Sequence, residues 1–335
     1  MIKSGRLFNY GHIVTPYSMK ESIGRIRRTI FGPKKTNTCR VDYIPKTYQL
    51  NKINHKCTIS FVGDIMALDS KQLIIEHSVK QFVKGSDFLV GNFEGTITLE
   101  KKKLMDKRHK PVIMDSLENL FSPKKTFLSV ANNHSGDFGL NKFSNSVEQL
   151  NDRGFNVFGT EKNPFMDLTD KIRVIGGTQW SNRPCNYLVE LEESNHYLKD
   201  CSFNILFPHW GYELELYPRI DTINHGRIIL DKFDALIGHH SHCPQPVSFF
   251  PIDYSNKKLI AYSLGDFCLG SESNKLEAMQ YGIIIKAEIG KNPEGKWLVG
   301  KVEWEFLKSS SLSKKKTVIK IVNIEPNFFL SEPMK

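Results

Sequence analysis

The sequence predicts an α/β fold, and three observations carry that reading. Short apolar, β-branched runs recur along the chain, and each ends in a cluster of polar residues. Between several of them apolar residues fall at helical spacing. The chain has 335 residues with 40% hydrophobic and 24% charged content, the composition of a globular protein with ample size for a core.

The stretch Ser129–Gly139 anchors the argument. Thr126–Val130 reads as a short buried strand, and Leu140, Phe143, Val147 and Leu150 then fall at helical spacing before Gly154. Asn132, Asn133, His134 and Asp137 therefore sit in the turn at the carboxyl end of a strand, where open α/β sheets place ligands. Asn and Asp are also favoured turn residues, so recurrence elsewhere has to decide.

The other elements supply it. Ile59–Gly63 is a strand delivering Asp64, and a helix follows over roughly 70–83 through Leu73, Ile74, Val79 and Phe82. Asp87–Val90 leads into Asn92 and Glu94. A basic loop, Lys101–Lys110, is either solvated surface or a contact for an anionic substrate. Phe155–Phe158 and Lys171–Gly177 read as strands, and 178–200 as hairpins or a lid. Ser202–Pro208 delivers His209 and Glu213. A helix over about 221–232 precedes 235–238, which delivers His239, His240 and His242. Leu259–Leu264 runs into Asp266, and alternation over 281–289, 297–306 and 317–323 completes a sheet.

Charge is concentrated at one end. The formal net charge is +10, and residues 1–57 carry all of it, with twelve Lys/Arg against Glu21 and Asp42. Such an arm is a solvated, disordered extension or a dock for anionic lipid, a polyanion or an acidic partner. Ser22–Phe31 fits a short basic amphipathic helix with Ile23, Ile26 and Ile30 on one side. Nucleic acid is disfavoured, because no aromatic-basic stacking module accompanies the charge. The six cysteines are scattered and read as reduced thiols. No apolar run approaches the ~18 residues of a membrane span, and no signal-peptide pattern opens the sequence. The expectation is a protein in the cytoplasm or peripheral to the inner membrane face.

Five strand ends thus carry Asp64, Asn92/Glu94, Asn133/His134/Asp137, His209/Glu213 and His240/His242. Carboxylate and amide oxygens with imidazoles suit Mn²⁺, Fe²⁺ or Zn²⁺, one or two ions, in a metal-assisted hydrolase. In an extended segment His240 and His242 point one way and His239 the other.

In this order the motifs VGDIM (62–66), GNFEG (91–95), ANNHSGDFG (131–139), FPHWGYE (207–213), IGHHSHCPQ (237–245) and AYSLGDF (261–267) resemble the CapA family of poly-γ-glutamate capsule synthesis proteins. The resemblance implies a calcineurin-like metallophosphatase fold, a two-sheet sandwich flanked by helices. It makes Asp64 a metal ligand, Glu94 the bridging carboxylate and Asn133 an amide ligand, with His209, His240 and His242 completing the metal shell. His134, held by Asp137, becomes the proton donor or phosphate contact. Asn92, Asn132, Glu213 and Asp266 stand behind the ligands or against substrate. Three positions depart from the wider pattern: Met66 replaces a usual His, Phe93 a Leu and Asp266 an Asn. The expected organisation is a basic arm over 1–57, which the resemblance does not cover, a CapA-type metallophosphatase-like domain over 58–310 and a C-terminal strand and tail over 311–335. The implied activity is hydrolysis of a phosphoester or γ-glutamyl amide during synthesis, release or export of an extracellular polymer, with an anionic polymer or phosphoester as substrate. The alternative is a noncatalytic subunit of a capsule-synthesis complex that binds polymer, partner proteins or membrane.

Overall fold

Alternation of side chains along the central strands sets the architecture. In the segment Asn54–Ile65 (β3), Phe61 packs into one apolar core and Val62 into another on the opposite face. The computed structural model describes residues 3–4, 16–68, 71–103, 105–269 and 274–325.

Among the described residues the larger sheet has ten strands. On one side of β3 lie β5 (Phe88–Phe93), β8 (Thr126–Ser129) and β9 (Asn156–Phe158), all parallel to it. On its other side β18 (Tyr281–Lys291), β19 (Trp297–Ser313) and β20 (Lys316–Val322) form an antiparallel meander, closed by β4 (Gln72–Ile75). Two short strands are added, β17 (Asp266–Cys268) beside β3 and β2 (Thr47–Gln49) beside β19.

The second sheet has six strands among the described residues. Its parallel core is β11 (Ile172–Thr178), β13 (Phe203–His209), β14 (Ala235–Ile237) and β16 (Lys257–Ala261). Antiparallel edges are β10 (Phe165–Thr169) and β15 (Val247–Pro251). Minor pairs join β1 (Lys3–Ser4) to β12 (Trp180–Ser181) and β6 (Thr96–Ile97) to β7 (Arg108–His109).

The sheets pack face to face. Phe61, Val90, Phe127, Ile283, Ile285 and Trp304 meet Val174, Ile205, Phe207, Ile237 and Leu259 in one continuous core. Helices α2 (His77–Val83), α3 (Val112–Glu118) and α4 (Gly139–Asp152) cover the outer face of the larger sheet. Helix α5 (Ile220–Lys232) covers the second. The result is a mixed α/β sandwich of two sheets between helical layers. Among the described residues no helix is long and apolar enough to cross a membrane.

Three expectations are corrected here. The span 70–83 is not one helix: 72–75 form β4, where Leu73 and Ile75 are buried and paired with β20, and only His77–Val83 is helical. Period-two burial of Leu73 and Ile75 won over helical spacing. The run 178–200 holds β12 and a 3₁₀ helix, Leu191–Tyr197, rather than hairpins. Residues 16–57 are folded onto the body. Ile44, Leu50 and Cys57 enter the inter-sheet core, and helix α1 (Met19–Phe31) follows an N-cap at Ser18, whose hydroxyl accepts from the Glu21 amide. Residues 1–2 and 5–15 of the expected arm and the tail beyond 325 lie outside the described residues.

Candidate metal centre

Close backbone approach builds the site. A side chain at Gly63 would meet the Gly265 carbonyl oxygen at 1.9 Å, and Gly265 itself has φ +63°. Glycine at both positions lets the Asp64 amide donate to the Gly265 carbonyl at 2.9 Å, which sets Asp64 and Asp266 beside each other at the ends of β3 and β17. From the second sheet, β13 ends in His209, and the loop after β14 carries His239, His240 and His242.

These side chains converge. Asp64 is fully buried, and its Oδ1 accepts from Asn92 Nδ2 at 2.7 Å and lies 3.0 Å from His239 Nδ1. Its Oδ2 accepts from the His240 amide at 3.0 Å and lies 3.8 Å from His242 Nδ1. His209 reaches His239 (Nδ1 to Nδ1, 2.8 Å) and Asn133 Oδ1 (from Nε2, 2.9 Å). His242 Nδ1 is 2.8 Å from Asp266 Oδ1. Asn132 Nδ2 donates to Asn92 Oδ1 at 3.2 Å and to the Phe93 carbonyl at 3.0 Å, locking the turn under the cluster.

Beside this lies a second group. His134 Nδ1 is 2.7 Å from Asp137 Oδ2, which also accepts from the Lys107 amide at 2.8 Å. His134 Nε2 is left 3.7 Å from Glu94 Oε1. Glu213 is tied elsewhere: it accepts from Tyr17 Oη at 3.3 Å and pairs with Arg25, rather than touching His209.

Ionisation follows from burial and neighbours. Burial opposes the charge on Asp64, but bonding and charge from His239 and His242 hold it below the usual carboxylate range. Glu94 is pushed well up by burial and by the Asp64 charge. Burial raises Asp266 to about 6. His209 is lowered by burial and its neighbouring imidazoles, and His240 falls to about 3 chiefly through burial. Burial also opposes charge on His242, yet Asp266 and Glu94 raise it to about 10. Three carboxylates crowd together here, and the His242 imidazolium offsets part of their charge.

The donor set fits a divalent ion. Asp64, His209 and His239 place ligand atoms within 4.8 Å of one another, as do Asp64, His242 and Asp266. Asp64 is common to both groups. Both Glu94 oxygens, His239 Nε2, His240 Nδ1 and Asp266 Oδ2 are buried without a hydrogen-bond partner. Native proteins rarely leave such atoms unpaired unless a ligand satisfies them. Imidazole with carboxylate and amide oxygen is chemistry for Mn, Fe or Zn.

Sequence reasoning had set His239 aside. His240 and His242 have φ of 105° and 55°, so the segment is not extended and the alternation argument fails. His239 therefore faces Asp64. Non-glycine residues held at positive φ cluster at functional sites, and these turns belong to the fold rather than to any local signal in the sequence. Tyr17 was also missed. Its hydroxyl lies 2.6 Å from His240 Nε2, and nothing local in the sequence announces a contact across 223 positions. Asn182, whose Nδ2 lies 3.3 Å from His134 Nδ1, comes from the stretch without periodicity.

Buried imidazoles, carboxylates and amides from the strand ends of two packed sheets define an α/β protein with a metal-competent centre. The family model described as "Bacterial capsule synthesis protein PGA_cap" matches residues 58–179 and 186–271, and the chain belongs to that family. It is similar to "PGA biosynthesis protein CapA" of Bacillus subtilis (strain 168), 24% identical over 306 residues that cover 80% of this chain and 78% of the relative. It is also similar to "Capsule biosynthesis protein CapA" of Bacillus anthracis, 25% identical over 252 residues, 64% of this chain and 60% of that protein.

Proposed function

We propose that this protein is a metal-dependent hydrolase of capsule or poly-γ-glutamate biosynthesis, built on a metallophosphatase-like core. Membership of the capsule-synthesis family and the names of the relatives support the biosynthetic role. The observation that carries the chemistry is Glu94: a fully buried carboxylate whose two oxygens lack any hydrogen-bond partner, flanked at 3.7 and 3.8 Å by His134 Nε2 and His242 Nε2.

Asp64, Glu94, Asn133, His209, His239, His240, His242 and Asp266 are the residues from which the ligands would be drawn, for one or two ions. When bound, such an ion polarises the scissile phosphoryl or carbonyl group and acidifies water. The chain's own residues do the rest. Asp137 fixes the His134 ring through Nδ1, so Nε2 is the nitrogen presented to the cluster. From there it would pass a proton to the leaving oxygen or nitrogen. Asn92 and Asn132 hold Asp64 and the turn in place. The substrate in this reading is an anionic polymer or phosphoester, handled alone or with other capsule-synthesis subunits.

The test is metal content of purified protein, wild type beside Asp64→Asn, with a generic phosphodiester and a γ-glutamyl amide assayed on the same samples. Stoichiometric Mn, Fe or Zn that is lost in the variant, with turnover of either substrate, supports the hydrolase and picks the bond. A metal-free, inactive, well-folded wild type overturns it in favour of an assembly subunit.

A further inference from the structure

Helix α1 presents its two faces in an unusual order. Glu21, Arg25 and Arg28 point at the body, where Arg25 pairs with Glu213, Arg28 with Glu215 at 3.3 Å, and Glu21 with Arg219 at 2.8 Å. The apolar stripe points away. Met19, Ile23, Ile26 and Ile30 share one side by helical spacing, and with Phe31 they are 57, 62, 51, 49 and 79% exposed. No residue of the helix is fully buried. An amphipathic helix that served only to pack on the domain would turn this stripe inward.

The charges bordering the stripe say what covers it. Lys20 and Arg27 flank it and are exposed. Glu21, the sole acid of α1, is engaged inward by Arg219 and Arg28, so the outward half carries only positive charge. Apolar residues at the centre with cations at the margin are complementary to an acyl boundary beneath anionic headgroups.

We propose that α1 is an interfacial helix that lays Met19, Ile23, Ile26, Ile30 and Phe31 into an anionic lipid surface. Because Tyr17, just before the N-cap, contacts His240, docking places the candidate metal centre beside the membrane. Ion pairs keep the inward face on the domain while the outward face inserts.

Vesicle flotation of the full chain tests this, with phosphatidylcholine vesicles against an equal mixture with phosphatidylserine. Wild type is expected to float with the serine-containing vesicles and to weaken as salt rises. Ile23→Glu/Ile26→Glu is expected to lose at least about tenfold in binding, and Arg27→Gln about fivefold. A thermal melt followed by far-UV circular dichroism checks each fold, and Arg27→Gln keeps the test decisive if the double variant misfolds. Wild type that stays unbound, or variants that bind as well as wild type, overturns the proposal. So does a wild-type dimer that the double variant converts to monomer without any vesicle binding, which would assign the face to a second copy.

Discussion

Burying the Glu94 carboxylate without a hydrogen-bond partner is costly, and the same arrangement makes it available to a cation. Stability and function should therefore part at this residue. Glu94→Gln keeps the shape and cannot take on the charge that burial and Asp64 oppose, so the metal-free protein is expected to be at least as stable as wild type. Metal retention is expected to fall by at least about tenfold. Denaturant melts of the chelated protein and metal analysis of the untreated one read the two effects separately. A variant less stable without metal would show that Glu94 is satisfied in some other way. At His134 the expectation is different. Asp137→Asn leaves the ring in place but disturbs its tautomer, so turnover should drop by about 10²–10⁴ with metal content unchanged. Most of these residues could be read from the sequence because each ends an apolar run, where a polar cluster has no packing role. His239 could not, since its direction depends on the backbone turns at His240 and His242.

At the scale of elements, α1 is held by charge rather than by burial. Burial opposes ionisation of Glu21, but hydrogen bonds and charge from Arg219 and Arg28 bring its carboxyl below the ordinary value of 4.5. A depressed carboxylate contributes stability that is present above the unfolded value and lost as pH falls through the lower folded value. Docking of α1 is thus expected to persist at neutral pH and loosen below about 4.5. Glu21→Gln should release it already at neutral pH. Amide hydrogen exchange across residues 19–31, corrected for intrinsic rates, measures both. Equal protection in the variant would assign docking to the pairs Arg25 makes with Glu213 and Arg28 with Glu215. The periodicity of Ile23, Ile26 and Ile30 made this helix legible, but not the side it turns inward. That choice is made by Glu213, Glu215 and Arg219, nearly two hundred positions away. Likewise β4 escaped notice because Leu73 and Ile74 lie just ahead of the helical Val79 and Phe82, and only pairing with β20 settles the matter.

For the molecule as a whole, the centre draws from both layers. Asp64, Asn92, Glu94 and Asp266 come from the larger sheet, and His209, His239, His240 and His242 from the second sheet and its loops. The apolar core reaches these donors, with Phe61 stacked on Phe207 and Phe207 against the His239 ring at 4.6 Å. Core and centre are therefore continuous, and whatever occupies the centre fastens one sheet to the other. An ion bound to the native state alone stabilises by mass action, about 2.7 kcal/mol when its free concentration is about 100 times Kd. Chelation is expected to lower the melting temperature of the wild type in a single cooperative transition. Asp64→Asn, which breaks both ligand groups at once, should melt at one temperature with or without chelator. Calorimetry in matched buffers decides it. A chelator effect of equal size in the variant would place the stabilising ion away from Asp64, and two separate transitions would mean that the sheets unfold independently.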